Sequence, residues 1–293
     1  MRRWMLVAAV VAMTAAWGEQ AEVAIVKATF SLAERPGEGR GSLQFSRTIE
    51  MALEQAGVAF DMLTEEEVEE RGLAGYKLVI FPYSAVWHER ETQRTVEYLQ
   101  DGGKVMCFYT VPAAVLKLLG VASAPGRREN YEGEFREMRF TDDRPPGFPA
   151  AVHQVSGNSA VPVVGEGGRV LATWYDSSGQ STGVPAVILS DNGVFVSHVF
   201  HNGNSAEQGL LTLATLGHFV PGSWQRIIEG ILAQAAPVAG YESMDALVRS
   251  VAERPTASRW ARQAVALQSQ ARTALGEQQY EQALTLAQQA QEA

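Results

Sequence analysis

The chain has 293 residues, 46% of them hydrophobic and 19% charged, with a formal net charge of −9. That composition is globular, which excludes wholesale disorder, and the length suits one large domain or two smaller ones. The acidic balance excludes a nucleic-acid partner held through phosphates, and a lone cysteine, Cys107, excludes an intrachain disulfide.

The basic start Met1–Trp4 is followed by the apolar run MLVAAVVAMTAAW, Met5 to Trp17. The run falls short of the about 20 residues of a membrane span, and Ala16 and Gly18 are small residues placed for cleavage after Gly18. Residues 1–18 therefore read as a signal peptide. The expectation is an exported protein, periplasmic or extracellular, without a stable membrane anchor after cleavage; a retained anchor is the alternative.

Glu22–Ala28 is a short β-branched run and reads as a buried strand. Pro36, Gly37, Gly39 and Gly41 then predict a long loop, before Ile49, Ala52, Leu53 and Ala56 mark one face of a helix closed by Gly57. Val58–Leu63 predicts a second strand, and Thr64 with Glu67 a capping box opening a short acidic helix. Tyr76–Tyr83, the helix His88–Gly103 and the strand Lys104–Tyr109 follow, with Pro112 opening a helix to Leu119. Alternation of this kind implies βαβ units, hence a parallel sheet with helices on both faces.

Residues 125–149 are polar and predict irregular structure. Arg169–Asp176, Val184–Ser190 and Gly193–Phe200 read as strands, the last two joined at the hairpin signal Asn192-Gly193. Beyond residue 205 the pattern is helical: Ala206–Val220, Ser223–Ala235, Ser243–Ala252 and Thr256 onward. Within the last stretch, ARTALGEQQYEQALTLAQQAQ resembles a single tetratricopeptide unit, with Gly276 in its turn and Ala283, Leu284, Ala287 and Ala290 as a stripe. The sequence stops in mid-helix without a cap, as a truncated chain would. The expected division is a signal at 1–18, an α/β domain at 22–220 and a helical extension at 221–293.

Three segments carry a further resemblance: YKLVIFPYSAVW, TVEYLQDGGKVMCFYTV, and VLATWYD with GVPAVILSDNGVFVSHVF. Over about two thirds of the chain they resemble the class I glutamine amidotransferase-like fold, in the degenerate version of β-galactosidase trimerisation domains. A similar domain stands N-terminal to glycoside-hydrolase-like (family 10-like) barrels in bacterial proteins. The resemblance implies a flavodoxin-like parallel sheet. It also implies a place beside a carbohydrate-processing barrel, lying downstream in the same chain or on a separate partner, with oligomerisation as an option.

In that family the nucleophile sits in a glycine-flanked turn after a strand. The resemblance places Thr110 there, beside Tyr109, Val111 and Pro112, with Cys107 three residues early inside the strand. Cys107 thus reads as packing. The family histidine falls on His201, and its glutamate two residues on is Gly203, so neither nucleophile nor orienting acid is present. His198 and His201, if on a strand, point to opposite faces, one packed and one in solvent. RPGEGRG lacks dinucleotide and P-loop spacing, and no metal-ligand cluster is visible, so no cofactor is expected. TEEEVEE and YEGEFRE read as solvated charge runs.

The strand ends should form a rim carrying Tyr83, Trp87, His88, Thr110, His201 and Asn202 as a candidate ligand-binding cleft, with a carbohydrate as its candidate ligand. These observations predict a non-catalytic accessory domain of an exported carbohydrate-active protein. The alternatives are the front of an active glycoside hydrolase whose barrel lies beyond residue 293, or a sugar-binding sensing module.

Overall fold

The computed structural model describes residues 21–201, 203–234, 244–251 and 255–292. The expected signal segment and Asn202 lie outside them. The first half alternates as the sequence implies: β1 (Val23–Lys27), α1 (Thr29–Glu34), α2 (Pro36–Gln55), β2 (Phe60–Thr64), α3 (Glu65–Arg71), β3 (Leu78–Phe81), α4 (Glu89–Gln100), β4 (Lys104–Phe108) and α5 (Ala113–Leu118). β1 lies between β2 and β3, and β3 beside β4, all parallel.

Strands in such a sheet are buried on both faces, which is why they read as unbroken apolar runs. Val23, Ile25, Ile80, Met106 and Phe108 pack with Ile49 and Leu53 of α2. Their neighbours Ala24, Val26, Val79, Val105 and Cys107 pack on the other face with Val68, Leu99 and Leu116 of α3, α4 and α5. The capping box forms: Thr64 N–H donates to Glu67 Oε2 at 2.9 Å and Glu67 N–H to Thr64 Oγ1 at 3.2 Å.

The expected loop at Pro36–Gly41 is instead the first turn and a half of α2. Pro36 occupies the first helical position, where its missing N–H costs nothing. Gly39 is buried against α1, and a Cβ there would stand 2.3 Å from the Leu32 Cα. The glycine serves close helix packing, not a turn.

The second half adds β5 (Val121–Ser123), β6 (Gly126–Arg128), β7 (Phe135–Phe140), β8 (Ala151–Ser156), β9 (Asn158–Ala160), β10 (Val163–Val164), β11 (Arg169–Tyr175), β12 (Ser181–Ser190) and β13 (Gly193–Val196). Among the described residues the main sheet runs β2-β1-β3-β4-β13-β12-β11-β7-β8. β13 joins β4 in parallel, while β12, β11, β7 and β8 extend the sheet antiparallel. The hairpin forms at Asn192-Gly193, with Ser190 opposite Gly193. The stretch 125–149, expected to be irregular, contains β6 and β7. A register shift between Phe135 and Glu137 breaks the alternation that would have revealed β7.

An all-helical region follows: α6 (Ser205–Phe219), α7 (Ser223–Gln234), α8 (Met244–Ser250), α9 (Pro255–Gly276) and α10 (Tyr280–Glu292). α6 and α7 cover the face that α2 covers, through Leu211, Ala214, Ile227 and Ile228. Ala283, Leu284, Ala287 and Ala290 of α10 are buried as the stripe predicts. The reversal between α9 and α10 uses Gln278, with φ at 60°, whereas Gly276 remains helical. Trp224 of α7 stacks on Tyr280 at 4.9 Å with the rings 4° from parallel. Arg272 pairs with Glu229 at 3.0 Å.

Candidate functional site

The carboxyl ends of β1, β3, β4 and β13 line one edge of the sheet, where open α/β sheets place their ligands. After β4 the residue in the left-handed region is Tyr109, with φ at 57°, one position before Thr110, where the resemblance sets the turn. For a non-glycine residue that conformation costs about 1–3 kcal/mol. Its N–H donates to the Val196 carbonyl at 2.9 Å, so pairing with the β13 end fixes the turn. The strained position therefore carries a phenol, whose pKa burial pushes up, followed by Glu38. It stays protonated at neutral pH.

Cys107 is fully buried in β4, and burial, with the Glu91 charge second, raises its thiol far above the usual range. It is packing, as expected. Thr110 is exposed, and its carbonyl accepts the Trp87 indole N–H at 3.1 Å.

His198 and His201 were expected on opposite faces, yet their rings lie 4.9 Å apart, centre to centre. β13 ends at Val196, so the two histidines sit on irregular backbone and the strand rule does not reach them. His198 is 4% exposed, and burial lowers its pKa to about 4, so its ring is neutral. Its Nε2 lies 2.9 Å from Asn158 Oδ1, and its Nδ1 lies 3.1 Å from Gln154 Nε2 and 3.0 Å from the Val199 carbonyl. His201 has a buried Nδ1 without a partner.

Gln154 joins these groups, and sequence reasoning missed it. Its Nε2 also donates to the Val199 carbonyl at 2.8 Å, and its Oε1 accepts Gln208 Nε2 at 2.7 Å. The available signal was a polar residue at an inward position of β8, between the buried Val152 and Ser156. Gly203 bridges to Gln154, and a Cβ on it would stand 2.4 Å from Gln208 Nε2 and 2.6 Å from the His153 carbonyl. An acid at that position is sterically excluded as well as absent from the sequence.

Tyr83 and His201 share one aromatic group with Phe45 and Tyr109. Phe45 lies 5.7 Å from Tyr83 and 6.0 Å from His201, and Tyr83 lies 6.1 Å from Tyr109. The Tyr83 hydroxyl donates to Glu38 Oε2 at 2.9 Å. Trp87 and His88 form a separate part of the rim. Trp87 packs 4.9 Å from Phe81, and His88 stacks 3.7 Å from Phe30. Glu34, 2.7 Å from His88 Nε2, raises its pKa. Asn202 falls outside the described residues.

TEEEVEE is not wholly a solvated run, because Glu65 is fully buried beneath residues 82–88. Burial raises its pKa to about 7, against the pull of hydrogen bonds from Ser84 and the Phe30 N–H. Glu91 in the first turn of α4 is also fully buried, and burial with the Glu65 charge raises it to about 9. Neither carboxylate oxygen of Glu91 has a hydrogen-bond partner; the His88 N–H favours its charged form without reaching bonding geometry. Neither acid can reach a substrate from there. Among the described residues no cluster of three or more His, Cys, Asp or Glu could hold a metal ion, and no helix is long and apolar enough to cross a membrane.

No family model matches the sequence, and no curated protein matches it. Solved structures share its fold. The cold-adapted β-galactosidase from Rahnella sp. R3 is 18% identical with a TM-score of 0.53, the alignment covering 68% of this chain and 31% of that one. The β-galactosidase from Bacillus circulans sp. alkalophilus is 16% identical with a TM-score of 0.53 and the same coverage. The polyextremophilic β-galactosidase from the haloarchaeon Halorubrum lacusprofundi is 16% identical with a TM-score of 0.50, covering 69% and 31%. This chain thus matches under a third of the length of each.

Proposed function

We propose that the chain is a non-catalytic accessory or interaction module of a larger, exported carbohydrate-active protein. In this reading its α/β part is an amidotransferase-like domain of the β-galactosidase-trimerisation type. The observation that carries it is the turn after β4. Its strained residue is Tyr109, Cys107 beneath it is sealed in the core, and Gly203 leaves no room for an orienting acid. A histidine without a nucleophile to activate performs no acyl transfer. The shared fold with part of several β-galactosidases supports a position beside a glycoside-hydrolase barrel. The rim of Tyr83, Trp87, His88, Thr110 and His201 is the surface it would offer to that neighbour or to a saccharide.

Assay of the purified chain against glutamine and aryl glycosides tests this reading, alongside Thr110→Ala and His201→Ala. The expected result is no turnover by any of the three. Turnover by the parent that either substitution abolishes would contradict the proposal.

A further inference from the structure

Under the rim, Glu65 and Glu91 are enclosed without an evident structural need for two charges. Glu65 ties three segments together. Its Oε2 accepts the Phe30 N–H of α1, its Oε1 accepts the Ser84 hydroxyl at 2.6 Å, and its N–H donates to Thr29 Oγ1 at 3.1 Å. Beside it, Ser31 Oγ accepts the N–H groups of Ala85 and Val86 at 2.8 and 3.1 Å. The 82–88 segment is thus fastened to the sheet through Glu65 and α1. Glu91 adds a second carboxyl group, with both oxygens buried and unpartnered.

The surroundings are acidic. α3 contributes Glu66 and Glu69, and α1 contributes Glu34, which His88 at the head of α4 contacts together with Glu69. β4 contributes the Cys107 thiol, and α5, packed on α4, the apolar Val115 and Leu116. Among the described residues no cation forms an ion pair with Glu65 or Glu91; the His88 charge favours ionised Glu65 from a distance while His88 pairs with Glu34 and Glu69, and two enclosed carboxylates so placed repel each other.

We infer that Glu65 and Glu91 form a proton-operated latch. While Glu91 is protonated, the hydrogen bonds accepted by Glu65 hold residues 82–88 and the start of α1 closed beneath the rim; when both acids are ionised, their repulsion outweighs those bonds and releases that segment. Each ionisation sends one proton to solvent and leaves a carboxylate facing other carboxylates. Lifting of the 82–88 segment relieves that repulsion by admitting water. Trp87 and His88 move with it, so the latch would regulate the rim on which the accessory reading rests.

Trp87 reports the latch directly. Fluorotryptophan is incorporated, its resonance at position 87 is assigned with Trp87→Phe, and fluorine NMR follows it from about pH 6 to about pH 10. The latch predicts a shift toward the solvent-exposed resonance as pH rises, displaced or lost in Glu65→Gln and Glu91→Gln. His88 is the rival, because its charge also disappears with rising pH; the latch predicts that the transition survives in His88→Gln. Circular dichroism establishes that each variant is folded. Hydrogen exchange at the Ala85 and Val86 amides gives a second readout should a glutamine variant fold poorly. No transition in the parent, one unchanged in both glutamine variants, or one abolished by His88→Gln overturns the proposal. The readout is local, so its failure leaves the accessory reading intact, and turnover by the chain would leave the latch intact.

Discussion

A methyl group on Gly39 would meet the Leu32 Cα at 2.3 Å, inside any real contact distance. Helix propensity alone favours alanine there by about 1 kcal/mol. Overpacking against α1 costs about 1–3 kcal/mol, so the packing effect outweighs the propensity gain. Gly39→Ala is therefore expected to lower stability in urea unfolding, by up to about 2 kcal/mol. A gain would show that α1 is not docked there. The same residue explains why the loop expectation failed. A glycine required by a neighbouring helix looks, in sequence, like a glycine required by a turn. Tyr109 is harder still, since nothing in Phe108-Tyr109-Thr110 announces a left-handed tyrosine.

At the scale of elements, β8 organises the histidine end of the rim through Gln154. Removing its side chain takes the acceptor from Gln208 Nε2 and one partner each from His198 Nδ1 and the Val199 carbonyl, which lie 3.0 Å from each other. Gln154→Ala is expected to lower stability by about 1–3 kcal/mol, the cost of leaving the buried Gln208 Nε2 without its acceptor. His198 adds a pH dependence of opposite sense to the carboxyl pair. Its folded pKa, about 4, lies below the ordinary histidine value of 6.5, so the unfolded chain binds the extra proton between them. Stability from His198 is present above about 6.5 and is lost as pH falls toward about 4. Glu65 and Glu91 are raised above 4.5, so their contribution is full below that value and declines as pH rises through about 7 and about 9. Thermal melting should show His198→Phe flattening the acid limb and Glu91→Gln flattening the alkaline one. Limbs unaffected by either substitution would refute these assignments.

Across the whole molecule, the parallel strands, the hairpin at Asn192-Gly193 and the α10 stripe were legible because local pattern and burial agree there. β7 was hidden by its register shift, and Glu65 by its acidic neighbours, because both depend on contacts distant in sequence. Of the rim, Tyr83 and His201 do converge through Phe45 and Tyr109, whereas Trp87 and His88 belong to the segment above the buried acids. A non-catalytic accessory module requires that no reactive group stand at the turn after β4. Intact-mass spectrometry of the native chain after exposure to an electrophilic glutamine analogue tests it most directly. The native chain is expected to stay unmodified, with Cys107 modified only after denaturation. Stoichiometric modification of the folded chain at Cys107 or Thr110 would contradict it.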